Sequence, residues 1–312
     1  MPEPARTFKL GARGSLLSRS QSQWVARLLE SLHPGLTVEL VLITTTGDKV
    51  QHKPLHDMGG KGLFTKELEQ ALLRREVDFV VHSFKDVPVT MPLVDVRELM
   101  IAAVPEREDP RDLLACRIAQ SIADLPPGAR VGTGSLRRQA QLLALRPDLQ
   151  VLPIRGNVDT RIRKLTEGEF DAVILATAGA KRSGLFDETF MTPIDPAQML
   201  PAAAQGSLAL QCHSDNVPVK TILESINHPQ SFLAAKLERQ IVQLLNGDCT
   251  SPIAALAQVN PNQITLTAAV AKRNGQPPVL RAQAAALAAQ SGSLPQTVVN
   301  SLIAQGVPQL LA

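Results

Sequence analysis

The sequence predicts an α/β protein: two similar α/β domains, then a small α+β domain. Three observations predict this. Short apolar, strand-like runs alternate with amphipathic helical segments through the first two thirds of the chain. Two stretches, KLGARGSLL (9–17) and RVGTGSLRR (130–138), repeat one order of strand, small-residue turn, serine and helix start. Beyond about residue 220 the alternation gives way to three strands flanked by helices.

In order, TFKLG (7–11) reads as a strand and SLLSRSQSQWVARLLESL (15–32) as a helix with apolar positions Leu16, Val25, Leu28, Leu29 and Leu32. TVELVLI (37–43) is a buried strand and LFTKELEQALLRR (63–75) an amphipathic helix. DFVVHS (78–83) and ELMIAAVP (98–105) are strands, and the charged PEREDPRD (105–112) reads as a crossover linker. The alternation restarts with strand ARVGT (129–133), helix SLRRQAQLLALR (135–146) and strand LQVLPI (149–154). Helix NVDTRIRKLTEG (157–168), capped by Asn157, and strand DAVILATA (171–178) follow. A helix over 229–245, strands over 253–259, 264–272 and 278–286 with a turn at RNGQ (273–276), and a helix over 295–305 complete the chain. The expected domains are 1–105 with 206–224, then 106–205, then 225–312.

Composition excludes several classes. The 312 residues are 44% hydrophobic and 20% charged, with mean hydropathy +0.03. No apolar run reaches the roughly 20 residues of a membrane span. The start, MPEPARTFKLGARGS, has no secretory pattern, so a cytoplasmic protein without a membrane partner is expected. A net charge of +3 and only 8 Phe, 1 Trp and no Tyr argue against a nucleic-acid partner. Three widely spaced cysteines (116, 212 and 249) with no CxxC pair make neither a disulfide framework nor a structural zinc site. His52 and His56 are separated by Pro54, which breaks any helix that would align them, so no metal is expected.

Local charge is more informative. GTGSLRR (132–138) puts Gly134 and Ser135 at a helix start and Arg137 and Arg138 in its first turn. Helix N-termini favour anions, and two arginines there oppose the dipole unless an anion lies nearby; the readings are an anion site or a solvated face. A dinucleotide fingerprint would need Gly where Arg137 stands. LPIRGNVDTRIRK (152–164) sets Arg155 at a strand end, where open α/β sheets bind ligands. Arg161 and Arg163 cannot share a helical face, so at least one is a solvated charge. GARGS (11–15) adds Arg13 and Ser15. These guanidinium groups point to a ligand with several acidic groups. MGGKGLF (58–64) lacks P-loop spacing, and Lys61 is either an anion contact or an ordinary loop lysine. In VHSFKDVP (81–88), Lys85 and Asp86 end a buried strand; Asp86 is a candidate catalytic carboxylate or a turn cap. In LLNGDCTSPIA (244–254), Cys249 sits on a polar turn, as a nucleophile, a covalent attachment point or an incidental thiol. Cys116 and Cys212 lie in apolar runs as packing residues.

Taken together, GARGSLLSRSQ, TTTGDK, GGKGLFTKELEQALL, VHSFKDVP, EREDPRD, VGTGSLRRQAQL, RGNVDTRIRKL, AQGSLALQC and NGDCTSPIA occur in one order along nearly the whole chain. In this the chain resembles the porphobilinogen deaminase (hydroxymethylbilane synthase) family. The resemblance implies two periplasmic-binding-protein-like (type II) α/β domains around a cleft and a third α+β domain. It implies a transferase of tetrapyrrole biosynthesis that condenses four porphobilinogen molecules into hydroxymethylbilane with loss of ammonia. It also implies a dipyrromethane cofactor, thioether-linked to Cys249, and a monomer.

By the same resemblance, Arg13, Ser15, Lys85, Arg137, Arg138, Arg155 and Arg161 bind the ligand carboxylates. Gly134, Ser135 and Gln205 lie along the same cleft, and Lys61 is a further substrate contact. Asp86 contacts pyrrole N–H groups, stabilises an azafulvenium cation and assists proton transfer. The chain departs from the family pattern at Asp248 (usually Gly), Thr46 (often Arg), Gly134 (often Ser), Gln211 (often Glu) and Ala203–Ala204 (usually Val-Gly). The alternatives are a non-catalytic anion-binding module, a low-activity paralogue of the family and a cysteine hydrolase.

Overall fold

The structure, a computed structural model, describes residues 6–45, 65–89, 98–248 and 250–311. In chain order its first elements are β1 (Arg6–Ala12), α1 (Leu16–Leu32), β2 (Leu36–Leu42), α2 (Lys66–Leu73), β3 (Phe79–Ser83) and β4 (Leu99–Ala103). Then come β5 (Asp112–Cys116), β6 (Arg130–Gly132), α3 (Leu136–Leu145), β7 (Gln150–Leu152), α4 (Val158–Thr166), β8 (Ala172–Ala176), α5 (Thr177–Arg182) and β9 (Met191–Pro193). The last are β10 (Leu208–His213), α6 (Val217–Glu224), α7 (Pro229–Leu244), β11 (Ile253–Val259), β12 (Ile264–Ala271), β13 (Val279–Ala286), α8 (Leu294–Ala304) and α9 (Val307–Leu311).

The chain divides into two compact units: Met1–Arg107 with Ser207–Phe232, and Glu108–Gly206 with Leu233–Ala312. The first holds a sheet of order β2-β1-β3-β10-β4, the second a sheet of order β7-β6-β8-β5-β9 and a third of order β11-β12-β13. The two five-stranded sheets share one plan. β1 is parallel to β2 and β3, as β6 is to β7 and β8. An antiparallel strand is inserted next: β10 between β3 and β4, β5 between β8 and β9. This is the periplasmic-binding-protein-like α/β architecture that the resemblance implies, with an antiparallel α+β sheet added.

The inserted strands, LALQCH and DLLAC, are buried at every residue. Such strands read as continuous apolar runs because helices cover both faces. One face of the first sheet packs Leu10, Phe79 and Leu210 against Val25 and Leu29 of α1 and Val219 and Leu223 of α6. In the second sheet Leu114, Val131 and Ile174 face Leu142 of α3, while Leu113, Val173 and Leu175 line the other side with Ile154 and Met191. Burial of each such side chain contributes about 1.5–3 kcal/mol. Cys116 and Cys212 are fully buried packing residues, and burial pushes the Cys212 thiol up to about 11.

Four local expectations are corrected. The charged 105–112 segment is not all linker, because Asp112 opens β5 and is completely buried. The strand ending in LATA stops at Ala176, and Thr177 starts α5. On α1, Leu16 and Leu32 are exposed, and the buried face is Ser18, Gln21, Ser22, Val25, Ala26 and Leu29. That face is polar over its first turns because it meets polar groups at the sheet's end, described below. Finally, β12 and β13 are joined by all of 272–278, not by RNGQ alone.

Candidate functional site

Unit one gathers Arg13, Ser15, Lys85 and Asp86 by topology. β1 and β3 are parallel neighbours, with Leu10 opposite Phe79 and Gly11 opposite Val80, so both leave the sheet at the same end. Arg13 follows β1 there, and Ser15 caps α1 by accepting from the Ser18 N–H (3.3 Å). The Ser18 hydroxyl in turn accepts from the Arg13 N–H (3.1 Å). Beyond β3 the chain makes one 3-10 turn, Phe84–Asp86, in which Phe84 is buried and Asp86 exposed. The turn is held by the Phe84 N–H donating to the Ser207 carbonyl (3.0 Å) and by Gln21 of α1 donating to the Ser83 hydroxyl (3.0 Å). The polar face of α1 therefore builds the sheet end that presents Arg13 and Asp86.

Behind this edge lies a buried polar cluster. His82 Nε2 is 2.9 Å from Gln211 Oε1, and Gln211 Nε2 donates to Glu69 Oε1 (3.1 Å). All three residues are buried. Burial pushes His82 from 6.5 down to about 4; the Gln211 hydrogen bond opposes this and the Arg13 charge adds to it. His82 is thus a neutral imidazole at pH 7.

Unit two gathers the β6–α3 residues. Ser135 caps α3 by accepting from the Arg138 N–H at 3.5 Å, as Ser15 caps α1. Arg137 and Arg138 are not on a solvated face. Both are buried and grip the Asp112 carboxylate: Arg137 Nη1 reaches Oδ2 at 2.7 Å, and Arg138 reaches Oδ1 through Nη2 (2.7 Å) and Nε (3.1 Å). Arg137 also donates to the Leu200 carbonyl (2.6 Å) and Arg138 to the Ile174 carbonyl (2.9 Å). Gln205, also buried, donates to Asp112 Oδ1 (2.9 Å) and to the Pro110 carbonyl (2.8 Å). The anion that two arginines in a first helical turn demand is thus partly supplied from within. Burial raises the Asp112 carboxyl, but the Arg137 and Arg138 charges outweigh it and hold the group well below the usual range.

The balance in this cluster is two guanidiniums against one carboxylate, an excess of one buried positive charge. A further carboxylate fits that excess. Gly134 lies so close to the Ile154 carbonyl that a Cβ there would stand 3.1 Å from it, bringing this turn against the segment that carries half-buried Arg155. Arg161 donates to the Gly156 carbonyl (2.8 Å), whereas Arg163 pairs with Glu167 on the surface (2.8 Å) and is the solvated charge of the two.

Cys249, Lys61, Thr46, His52 and His56 lie outside the described residues. The flanks of Cys249 are described. Helix α7 closes with the Gly247 N–H on the Val242 carbonyl, and a Cβ on Gly247 would collide with Ile253 Cδ1. Asp248 Oδ1 accepts from the Thr250 N–H (2.9 Å) and hydroxyl (2.7 Å) and from the Ser251 N–H and hydroxyl (2.9 Å each). The departure from Gly at 248 is therefore a turn-forming carboxylate whose charge is spent on its own loop.

Sequence reasoning missed Asp112 as part of the site. The signal was present, since the apolar run LLAC follows it directly, but the charges before it read as a linker. It also missed Glu238, buried in the middle of α7. Among the described residues no group of His, Cys, Asp and Glu could hold a metal ion, and no helix is long and apolar enough to cross a membrane.

Comparison with known proteins supplies the family. The model of the porphobilinogen deaminase, dipyromethane cofactor binding domain matches residues 8–221, and that of the porphobilinogen deaminase C-terminal domain matches 232–304. A porphobilinogen deaminase from Syntrophobacter fumaroxidans is 44% identical over 306 residues, covering 98% of this chain and 97% of its own. One from Geobacter sulfurreducens is 48% identical over 269 residues, covering 86% and 82%. The periplasmic aliphatic sulphonate binding protein SsuA from Escherichia coli is a distant structural likeness, 14% identical, covering 99% of this chain and 90% of its own with a TM-score of 0.40. With both family models matched in order and relatives this similar over most of their length, the chain belongs to the porphobilinogen deaminase family, the hydroxymethylbilane synthases of tetrapyrrole biosynthesis, which work with a dipyrromethane cofactor.

Proposed function

We propose that this chain turns over porphobilinogen with Asp86 as its catalytic carboxylate and Cys249 as the anchor of the dipyrromethane. When bound, that group supplies a covalent primer on which pyrrole units are joined. Arg137, Arg138, Arg155, Lys85 and Ser135 hold its carboxylates, with Gly134 leaving room beside them and Gln205 steadying the arginine pair through Asp112. Arg13, Ser15, Arg161 and Lys61 hold the acetate and propionate of incoming substrate. The observation that carries the reading is the buried cluster in which two guanidiniums share one carboxylate, because it leaves one positive charge for a ligand anion.

Asp86 suits its role by position. It is an exposed carboxylate on a hydrogen-bonded 3-10 turn, at the sheet end that also carries Arg13. Held against a pyrrole N–H, it stabilises the cation left when porphobilinogen loses ammonia and takes up the proton released on coupling. The monomeric, cytoplasmic setting expected from the resemblance belongs to the same proposal, and sedimentation at micromolar concentration checks the first part. An anion receptor or cysteine hydrolase is not favoured, since relatives along nearly the whole chain are deaminases.

The test is Asp86→Ala. The variant should keep its secondary structure and its unfolding transition, and lose turnover by about 100-fold or more. A kcat within a few-fold of the unsubstituted chain would remove Asp86 from the mechanism.

A further inference from the structure

Glu238 is a buried carboxylate to which neither the sequence nor the proposed chemistry assigns a task. It stands in α7, the helix that leads to Cys249, and is completely inaccessible. Among the groups it meets are two distant segments of unit two. Oε2 accepts from the Ala204 N–H (2.6 Å) and Oε1 from the Ala257 N–H of β11 (2.8 Å). Hydrogen bonds that backbone N–H groups donate to a carboxylate are among the stronger ones, and a buried carboxyl group is tolerated where such donors meet it.

Each segment leads to one end of the proposed cofactor site. Ala204 has φ +59°, a left-handed conformation that costs a non-glycine residue about 1 kcal/mol. The carboxylate holds it there. The next residue is Gln205, whose amide steadies Asp112 and so the Arg137–Arg138 pair. Gly206 follows at φ +88°, packed against the Glu108 carbonyl where a Cβ would collide. On the other side, β11 is the first strand after the cysteine loop, and its start packs on Gly247 at the end of α7.

We propose that Glu238 is a positioning residue, which fixes β11, the strand that follows the cysteine loop, and the carboxylate-binding arginines of unit two at one spacing. The proposal rests on the family reading of Cys249, Arg137 and Arg138. A ligand tethered at one point and held by charge at another gains from a fixed spacing, and about 1 Å of slack costs as much as 100-fold in rate.

The test uses the full chain, prepared free of adduct from a host that makes no porphobilinogen, and compares it with Glu238→Gln. Gln keeps the size, but its amide NH₂ faces one of the two backbone N–H groups. Porphobilinogen is added, intact mass is followed, and the rise in Tm on loading is recorded. The unsubstituted chain should gain a two-pyrrole adduct. Glu238→Gln should fold, gain the adduct about tenfold or more slowly, and gain less Tm from it. A variant that loads and is stabilised like the unsubstituted chain overturns the proposal and leaves Glu238 a folding residue. An unsubstituted chain that gains no adduct overturns the family reading of Cys249, and the proposal with it. If Glu238→Gln does not fold, hydrogen exchange in the unsubstituted chain decides: the Ala204 and Ala257 amides should slow together on loading, and no change at either overturns the proposal.

Discussion

The two five-stranded sheets have the same strand plan but fill it differently. Each has an inserted antiparallel strand with a buried polar side chain. In unit one β10 carries Gln211, which joins His82 to Glu69 through uncharged hydrogen bonds on the imidazole side. In unit two β5 begins with Asp112, which meets two guanidiniums. In the first, burial keeps a histidine neutral against the pull of its Gln211 hydrogen bond, and the cluster ties the strand before Asp86 to its neighbours. The second concentrates positive charge that one carboxylate does not balance. On the function proposed above, one scaffold thus supports a turn for a reacting group in one unit and an anion-binding charge in the other, through side chains at different positions along the inserted strands: Gln211 opposite Val80 near the start of β3, and Asp112 opposite Ala176 at the end of β8.

The largest effect expected from breaking this contrast is at Asp112. Asp112→Asn takes the anion from between two buried arginines and should cost about 3–5 kcal/mol in urea unfolding at pH 7. A loss under about 1 kcal/mol would mean that solvent screens the pair. Because the Asp112 carboxyl sits far below its ordinary 3.8, its contribution should be complete at neutral pH and fade only as pH falls below that value.

Next in size is His82, with a different window. Its folded value of about 4 lies below the ordinary 6.5, so the unfolded chain binds more protons between them. Stability from this group is complete above 6.5 and is lost as pH falls toward 4, about 3 kcal/mol in all. Urea unfolding of His82→Asn beside the unsubstituted chain from pH 7.5 to pH 4.5 checks it: the difference between the two should shrink on acidification. A difference independent of pH would show that His82 titrates alike in both states.

The smallest effect is at Gln211. Gln211→Leu leaves His82 Nε2 without its Gln211 partner in the core and should cost about 1–3 kcal/mol, with a modest fall in kcat as the 83–86 turn loosens. An unchanged kcat with the stability loss present would confine the cluster to folding.

Much of this was legible from local sequence. Period-2 and period-3.6 apolar patterns recovered most of the strands and helices of the sheets, because side-chain spacing on a backbone is a property of a few neighbouring residues. Ser15 and Ser135 could be read as helix starts because a cap bonds only two or three residues away. Asp86, beyond a buried strand, could be placed at a sheet end for the same reason, and the ordered motifs supplied the family.

Three dimensions were needed for what depends on distant partners. Nothing near Arg137 and Arg138 indicates that Asp112 will meet them, for the carboxylate arrives on an antiparallel strand inserted after a crossover. The burial of Ser18, Gln21 and Ser22 on α1, where Leu16 and Leu32 were expected, shows only once the end of β3 is set against that helix. The sequence gives Glu238 no distinguishing signal within the 229–245 helix, and only packing brought the Ala204 and Ala257 N–H groups to it. Secondary structure follows from short-range periodicity and capping, whereas the fate of a charge depends on which groups share its burial, and those come from anywhere along the chain.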